Sequence, residues 1–280
     1  MMIKKILIPT DGSDYGAIAL EYGITIAKRF EAQLIGLHIM DIRLIQGPVF
    51  TDISGSVGLP PYQEFLPMLQ GSLDERAEII LQAFKTRCEE AGLQPEIKKT
   101  VGVIDEMIIE EGKNADMILL SQRGEHFHLG GGSILGSTAE SVIRKSGKPV
   151  MVTPKTFREI ESMGLAYDGS GPAENALKLA GELSGYASWP LTVIIITDDH
   201  DMEVNLTKKI EDFLTSYTID CEIIILRGKE DREIIKFVQD GSVELMVMGA
   251  YGHNRLRELI LGSTTSYVIR KSAIPVLLTR

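Results

Sequence analysis

The sequence contains an internal repeat, and this repeat limits the folds that are open to the chain. Residues 136–153 match residues 262–279 at a constant offset of 126, from a shared Gly-Ser-Thr start to a Pro-Val pair near the end. Gly102 and Gly228 keep this offset, whereas two Asp-Gly-Ser sequences, at residues 11–13 and 168–170, lie 157 residues apart. Self-similarity of this kind marks repeated structural units. We therefore expect two copies of one module.

The first copy is longer than the second. The offsets of 157 and 126 give it 31 extra residues between these anchors. We place the extra residues within 43–71, a stretch rich in Gly and Pro, and predict a long irregular loop there. Residues 154–162 are predicted to form a short polar linker. The predicted domains are therefore 1–154 and 163–280, each about the usual size of a globular domain.

Short apolar runs alternate with longer segments of helical period in both copies, which is typical of strand-helix-strand units. Runs such as Val193–Ile196 suit strands that are buried on both faces of a parallel sheet. We predict an α/β fold of two tandem doubly wound parallel sheets with five strands each. The predicted strands are 3–9, 34–40, 96–101, 117–120, 150–152, 164–167, 192–197, 221–226, 245–248 and 276–278. The predicted helices are 15–30, 73–91, 104–113, 138–145, 173–185, 204–217, 232–239 and 264–271.

The charge balance argues against two classes of partner. A net charge of −10 and a pI near 5.1 oppose non-specific attraction to nucleic acid or to anionic membranes. No apolar run is long enough for a membrane-spanning helix, and the N-terminus lacks a signal-peptide pattern. We expect a cytoplasmic protein, with Cys88 and Cys221 as packing residues rather than disulfide partners or metal ligands.

The second copy contains a glycine pattern that suits a phosphate group. Gly249 and Gly252 follow its fourth predicted strand, and Gly262-Ser263-Thr264 opens its last helix nine residues later. Glycines let backbone amides approach an anion, and the positive end of a helix stabilises its charge. The hydroxyls of Ser263 and Thr264 could donate further hydrogen bonds. The structural alternative is a turn glycine followed by an ordinary helix cap.

An aspartate follows the first predicted strand of each copy. Asp11 and Asp168 both begin an Asp-Gly-Ser turn. Such an aspartate could simply hold an Asx turn. Alternatively, its carboxylate could accept from a ribose hydroxyl or approach a phosphate-bound metal at the carboxyl edge of the sheet. The residue type alone leaves both interpretations open.

Taken together, the strand-ending aspartates and the glycine pattern resemble the universal stress protein family over almost the whole chain. The resemblance implies sheets of order 3-2-1-4-5 in the adenine-nucleotide alpha-hydrolase-like fold, and a bound adenine nucleotide (ATP, ADP or AMP) with Mg²⁺ as a candidate companion. In the second copy it implies binding by Tyr167, Asp168, Thr197 or its neighbour Ile196, Met248, Gly249, Gly252, His253, Gly262, Ser263 and Thr264. In the first copy it implies binding by Thr10, Asp11, Ile39, Gly124, Gly136, Ser137 and Thr138.

The first copy departs from the family's glycine pattern. Ser121 replaces the first glycine, and eleven residues rather than nine separate Gly124 from Gly136. The longer loop holds Gly130-Gly-Gly-Ser, which could form a widened anion site. We expect Arg123 to be a solvated surface residue, and the nearby pair His126 and His128 lacks further ligands for a metal. The second copy is therefore predicted to be the principal site.

Three functions fit these features. The first is a nucleotide-binding stress-response or regulatory protein with at most slow ATP hydrolysis, because the chain has no P-loop motif and no evident general base. The second is an adenylyl-transferring enzyme of the same fold group, although its His-x-Gly-His and Ser-Gly-Gly-x-Asp signatures do not occur. The third is a nucleotide-free scaffold. The resemblance further implies an internal pseudo-dimer through the last strands, a homodimer and an unidentified protein partner.

Overall fold

The computed structural model describes residues 3–43, 62–123, 137–215, 219–250 and 261–280. Strands and helices alternate throughout these residues, as predicted. The N-terminal half consists of β1 (Lys5–Pro9), α1 (Asp14–Phe30), β2 (Gln33–Asp41), α2 (Tyr62–Glu90), β3 (Glu96–Gly102), α3 (Ile104–Gly112), β4 (Met117–Ser121), α4 (Ser137–Lys145) and β5 (Val150–Thr153). The C-terminal half consists of β6 (Met163–Ala166), α5 (Gly171–Ala187), β7 (Leu191–Ile196), α6 (His200–Leu214), β8 (Cys221–Leu226), α7 (Glu230–Gln239), β9 (Leu245–Gly249), α8 (Ser263–Lys271) and β10 (Val276–Thr279).

The strands of both halves belong to one sheet. Its order is β3-β2-β1-β4-β5-β10-β9-β6-β7-β8, so that each half has the predicted order 3-2-1-4-5 with parallel neighbours. The halves meet where β5 and β10 pair antiparallel, with Val152 opposite Val276. The predicted pseudo-dimer contact through the last strands is therefore present. The two predicted sheets, however, are one continuous ten-stranded sheet.

The predicted irregular loop at 43–71 is wrong for its last ten residues. Helix α2 begins at Tyr62 and continues through Pro67 and Gly71, whereas the sequence pattern predicted a helix only from residue 73. Gln, Glu, Leu and Met predominate around the two helix breakers, and these residues have high helix propensity. In a helix of 29 residues their propensity outweighs the cost of Pro67 and Gly71. Residues 44–61 of the predicted loop lie outside the described residues.

The helices cover both faces of the sheet in two layers. Helices α1, α2, α5 and α6 pack on one face, where Tyr22, Phe30 and Ala180 are fully or almost fully buried. Helices α3, α4, α7 and α8 pack on the other face through residues such as Val142 and Val268. This arrangement explains the continuous apolar runs of the central strands, since side chains on both faces of each strand are buried.

Side chains reinforce the contact between the halves on both faces. The ring of Phe30 in α1 stacks on Tyr186 in α5 at a centroid distance of 5.2 Å, and the Arg29 guanidinium donates to the Ala187 carbonyl at the end of α5. On the other face, the Gln122 amide donates to the Ile269 carbonyl at 2.6 Å, near the C-terminal end of α8. The halves are therefore joined by helix contacts as well as by the strand pair.

One helix contact is present in the N-terminal half and missing from its counterpart. The Ser141 hydroxyl and, at 3.2 Å, the Lys145 ammonium donate to Asp105 near the start of α3. Burial tends to raise the pKa of Asp105, but these bonds outweigh it and lower the pKa below its ordinary value of 3.8. At the equivalent position near the start of α7, Asp231 is 9% exposed, and its Oδ1 is a buried atom that makes no hydrogen bond.

We expect the substitution Asp105→Asn to lower the free energy of unfolding at neutral pH by about 1 kcal/mol, because it removes the charge that accepts these bonds. This loss should fade as the pH falls from 3.8 through the lowered pKa, where the carboxyl group is protonated in the wild type as well. The matched control Asp231→Asn removes a carboxylate in the same place whose ion-pair partner is the exposed Lys229 ammonium at 3.7 Å, and should cost clearly less. Urea unfolding at neutral and acidic pH measures both effects, and equal losses in the two variants would contradict this account.

Candidate functional site

The carboxyl ends of β6 and β9 form a crevice in the C-terminal half. These strands are parallel neighbours, with Ala166 opposite Met248. The chain leaves them toward opposite faces, since α5 packs on one side of the sheet and α8 on the other. Ligands of open α/β sheets bind where the strand order reverses in this way. Strands β1 and β4 form the equivalent crevice in the N-terminal half.

Asp168 lies at this crevice immediately after β6. Its Oδ1 accepts from the Ser170 amide at 2.9 Å, and the Ser170 hydroxyl in turn caps α5 by accepting from Ala173 N at 3.3 Å. Gly169 between them has φ +75, a backbone conformation that favours glycine. The Asx turn is therefore real. It occupies only one carboxylate oxygen of an exposed side chain, so Asp168 can hold the turn and contact a ligand as well.

The N-terminal half repeats this turn with a different hydrogen-bond pattern. Asp11 Oδ1 accepts from both the backbone amide and the hydroxyl of Ser13, at 3.0 and 2.6 Å. Thr10 continues the strand ladder by donating to the Leu37 carbonyl, and its own carbonyl lies 2.8 Å from His38 Nδ1. Asp11 thus accepts two hydrogen bonds from the serine of its turn, whereas Asp168 accepts one.

Gly249 has a packing role in addition to any contact with a ligand. A Cβ atom added there would lie 2.8 Å from Pro172 C and Ala173 N, because the N-terminus of α5 packs directly on the end of β9. Ser121 takes this place in the N-terminal half, and its hydroxyl donates to the Arg123 carbonyl at 2.6 Å. The glycine at 249 is therefore explained by the fold alone.

Gly262 is different, because the fold does not require a glycine there. Its φ is −52, and a Cβ atom added to it would meet its nearest neighbour, Thr265 Oγ1, at 3.7 Å. Gly262 caps α8 without a side-chain hydrogen bond, whereas Ser170 caps α5 and Asp199 caps α6 with theirs. The first amides of α8, which include those of Ser263 and Thr264, are thus left without a side-chain cap. Such amides bind anions.

The charge at the start of the equivalent helix is less favourable to an anion. Helix α4 begins at Ser137 and has Glu140 in its first turn, after Thr138, whereas the first turn of α8 has no acidic residue. Ser266 stands in the place of Glu140. Since a carboxylate opposes a phosphate at the same helix end, the two halves differ in electrostatics as well as in their glycine pattern.

A polar cluster, which the sequence pattern did not predict, lies at the ends of β7 and β8. Arg227 follows β8, and its guanidinium donates to the Thr197 carbonyl and to Glu203 in α6. The Thr197 hydroxyl accepts from the Asp199 amide at 3.1 Å. An arginine directly after an apolar strand, at the edge of the sheet where ligands bind, was the signal that could have revealed this cluster.

The same edge is less polar in the N-terminal half. Ile39 lies inside β2, which continues to Asp41, so it pairs with Thr100 rather than ending its strand. Met40 and Val101 stand where Thr197 and Arg227 stand in the other half, and Val101 is 45% exposed. A ligand that extends from the crevice to this edge would therefore meet polar groups in the C-terminal half and apolar side chains in the N-terminal half.

Two predicted site residues have buried side chains. Tyr167 is 4% exposed, and burial, together with the charges of Glu174 and Asp168, raises the pKa of its hydroxyl. Met248 is 5% exposed between neighbouring strands. Such residues can reach a ligand mainly through their backbone atoms. The other predicted residues Gly252, His253, Gly124 and Gly136 lie outside the described residues, as do His126 and His128.

Arg123 and the cysteines complete the ionisable groups of interest. Arg123 is half-buried, and its guanidinium lies 3.4 Å from the Tyr15 hydroxyl, so this predicted surface residue is only partly solvated. Cys88 and Cys221 are free thiols, and burial raises the pKa of each to about 11. Both are therefore protonated and unreactive at neutral pH, in agreement with their prediction as packing residues.

The described residues contain no group of three or more His, Cys, Asp or Glu side chains that could hold a metal ion. Within the same part of the chain, no helix is both long and apolar enough to cross a membrane.

Comparison with known proteins agrees with this architecture. The model of the universal stress protein family matches residues 2–154 and 207–280. A universal stress protein of Synechocystis sp. is 31% identical over 288 residues, covering 99% of this chain and all of that protein. Another from Methanocaldococcus jannaschii is 33% identical over 159 residues, covering 55% of this chain and 97% of its own length.

A solved structure shows the same fold. The universal stress protein from Archaeoglobus fulgidus superposes with a TM-score of 0.76 at 23% identity, covering 99% of this chain and 96% of that one. The fold is therefore the adenine-nucleotide alpha-hydrolase-like fold of these proteins. Since the family model and a relative of the same length both match, this chain belongs to the universal stress protein family.

Proposed function

We propose that this chain is a regulatory protein that binds one adenine nucleotide, ATP, ADP or AMP, in the crevice between β6 and β9. In this proposal the phosphates contact the first turn of α8, the ribose lies near Asp168, and the base lies beside Ile196 and Thr197. The observation that carries it is the start of α8. It has a glycine that the fold does not require, no side-chain cap and no acidic residue in its first turn.

Electrostatics favour a phosphate there for a further reason. The chain carries a net charge of −10, so a polyanion needs a local positive centre to overcome the general repulsion. Amides and the dipole at a helix N-terminus supply such a centre. The exposed carboxylate of Asp168 would repel the phosphates unless a cation lies between them. We therefore include Mg²⁺ in the proposal: Asp168 would help to hold the ion, and the ion would offset the charge of the phosphates.

Several observations support a single principal site in the C-terminal half. Glu140 in the first turn of α4 opposes an anion there, and Asp11 Oδ1 already accepts from both the amide and the hydroxyl of Ser13. We propose domains 1–154 and 163–280, of which the second holds the nucleotide. The first would then serve as a structural partner across the β5–β10 pair.

Binding rather than efficient turnover is the proposed activity, with slow ATP hydrolysis at most. Of the described histidines, His38 is engaged with the Thr10 carbonyl, and His200 lies on the exposed start of α6. Neither is placed as a general base for an attacking water at α8. A cytoplasmic location remains a prediction from the sequence pattern, and a role in the stress response and a homodimer remain predictions from the family resemblance.

Analysis of the nucleotide released by boiling the purified protein tests the proposal directly. We expect one adenine nucleotide per chain, because Glu140 makes the start of α4 less favourable to an anion than the start of α8. A protein that releases none and shows no thermal shift with ATP would instead be a nucleotide-free scaffold. Two nucleotides per chain would contradict the proposed preference for the C-terminal half.

The substitution Gly262→Val tests the phosphate site. The backbone conformation and the 3.7 Å clearance accommodate a side chain, so the protein should fold, but the valine would block the approach of a phosphate. We expect the affinity for ATP in calorimetry to fall about a hundredfold, the equivalent of one or two charged hydrogen bonds. The matched substitution Gly136→Val in the first copy should leave the affinity unchanged. Equal losses would assign the effect to general destabilisation.

The substitution Asp168→Asn separates the two interpretations of this aspartate. An asparagine oxygen can still accept from the Ser170 amide and hold the turn, but the charge is lost. If Asp168 binds Mg²⁺ or the ribose, affinity for ATP with Mg²⁺ should fall about tenfold, the equivalent of a single lost contact. Asp11→Asn is the control and should have no effect. Unchanged binding in Asp168→Asn would leave the residue with its structural role alone.

A further inference from the structure

Strand β8 is an end of the ten-stranded sheet and borders an open groove. The groove, here called the β8 groove, has a volume of about 580 Å³. Its floor is one face of β8, formed by the alternate residues Cys221, Ile223 and Ile225. Its wall is one stripe of α6 at helical spacing. The wall residues are Glu203, Thr207, Glu211, Leu214 and Thr215.

The opposite edge of the sheet is closed by the protein's own side chains. Strand β3 carries Lys99 where β8 carries Ile225. The Lys99 ammonium lies between strand and helix, 2.7 Å from Glu78 and 3.0 Å from Asp74 of α2. A charged edge strand of this kind resists pairing with another chain. In the N-terminal half, a lysine side chain on the edge strand β3 thus fits against the carboxylates of the covering helix α2.

The β8 groove has the carboxylates without the lysine. Glu211 is exposed and has no ion-pair partner among the described residues, whereas Glu203 is held by Arg227. The floor is apolar, and the raised pKa of the Cys221 thiol keeps it neutral. Beside the floor runs the outer backbone of β8, whose amide and carbonyl groups on that side have no strand to pair with in the sheet. The groove therefore lacks a neighbouring strand and apolar cover, and Glu211 lacks a cation among the described residues.

We propose that the β8 groove binds an extended segment of a partner protein that adds to the sheet as a strand beside β8. On the side that faces α6, this segment carries a lysine or arginine for Glu211 and apolar side chains for Ile223 and Ile225. Main-chain hydrogen bonds provide affinity, and the alternate side chains provide specificity, as in other cases of strand addition. The proposed pairing of a partner's lysine or arginine with Glu211 is based on the contacts of Lys99 with Asp74 and Glu78 in the N-terminal half. The residues that the proposal uses, Glu211, Ile223 and Ile225, take no part in the proposed nucleotide site, so the proposal does not depend on nucleotide binding.

A short labelled peptide is a suitable probe for fluorescence anisotropy with the full-length chain. In Thr-Val-Thr-Lys-Thr-Val-Thr, one face of the strand presents Val, Lys and Val, and the peptide has little charge of its own. We expect it to bind, and we expect two related peptides to bind at least about tenfold more weakly. One of these has Glu in place of Lys, and the other has Pro in place of two Thr residues, which removes backbone donors.

Three variants locate the binding surface. Glu211→Lys should weaken binding about tenfold by replacing attraction with repulsion. Ile225→Lys reproduces the closed arrangement of Lys99 and should weaken it at least as much. The control Glu222→Lys makes the same charge change on the opposite, exposed face of β8 and should alter affinity by less than about twofold. Circular dichroism and thermal melting establish that each variant is folded.

Three results would overturn the proposal. Equal weakening by Glu211→Lys and Glu222→Lys would mean general charge attraction. Equal binding of the proline peptide would exclude strand addition. A wild-type dimer in sedimentation that Ile225→Lys converts to a monomer would identify the occupant as a second copy of this chain.

Discussion

The antiparallel pairing of β5 with β10 determines the arrangement of the rest of the molecule. A parallel five-stranded sheet has two edges, and each edge exposes backbone groups that can pair with another chain. Joining the last strands of the two copies removes one edge from each and leaves β3 and β8 as the ends of the combined sheet. The same contact aligns the halves so that α1 packs against α5, while Gln122 reaches the end of α8. A chain that carries both copies forms this contact intramolecularly, without the entropic cost of association.

Once the contact between the halves is internal, the two crevices need not remain alike. The C-terminal crevice combines the exposed Asp168 with a helix start at Gly262 that has no side-chain cap among the described residues. The N-terminal crevice has Ser121 in place of Gly249, Glu140 in the first turn of its helix and an Asp11 carboxylate engaged by Ser13. Of these differences, Glu140 opposes an anion directly, because its charge lies at the helix end where a phosphate would bind. This difference supports the proposal of a principal site in the C-terminal half.

The sequence predicted the fold well because the repeat and the hydrophobic pattern constrain each other. The pattern predicted the placement of strands and helices, since parallel strands buried on both faces leave little freedom. The strand order and the junction of the last strands were implied by the family resemblance rather than by the pattern. The start of α2 was missed because helix propensity around Pro67 outweighed the loop signal. At the site, the sequence pattern identified both Gly249 and Gly262 but assigned the same phosphate-binding role to each. The structure distinguishes them: a side chain at position 249 would clash with α5, whereas position 262 has room for one. Arg227 was missed because its position depends on the pairing of β7 with β8 rather than on a local motif.

Helix α6 links the two proposed surfaces. Its N-terminal end borders the base end of the crevice, where Asp199 caps the helix and Glu203 accepts from Arg227, which also bonds the Thr197 carbonyl. Its outer stripe, from Glu203 to Thr215, forms the wall of the β8 groove. Glu203 therefore belongs to both surfaces. A ligand that competes with Glu203 or with the Thr197 carbonyl for Arg227 would change the position or the charge of the groove wall. A coupling of this kind needs no motion of the sheet, because a helix on a packed sheet can shift while the strands beneath it keep their register. If both proposed surfaces are occupied, such a contact is where occupancy of one would alter the affinity of the other.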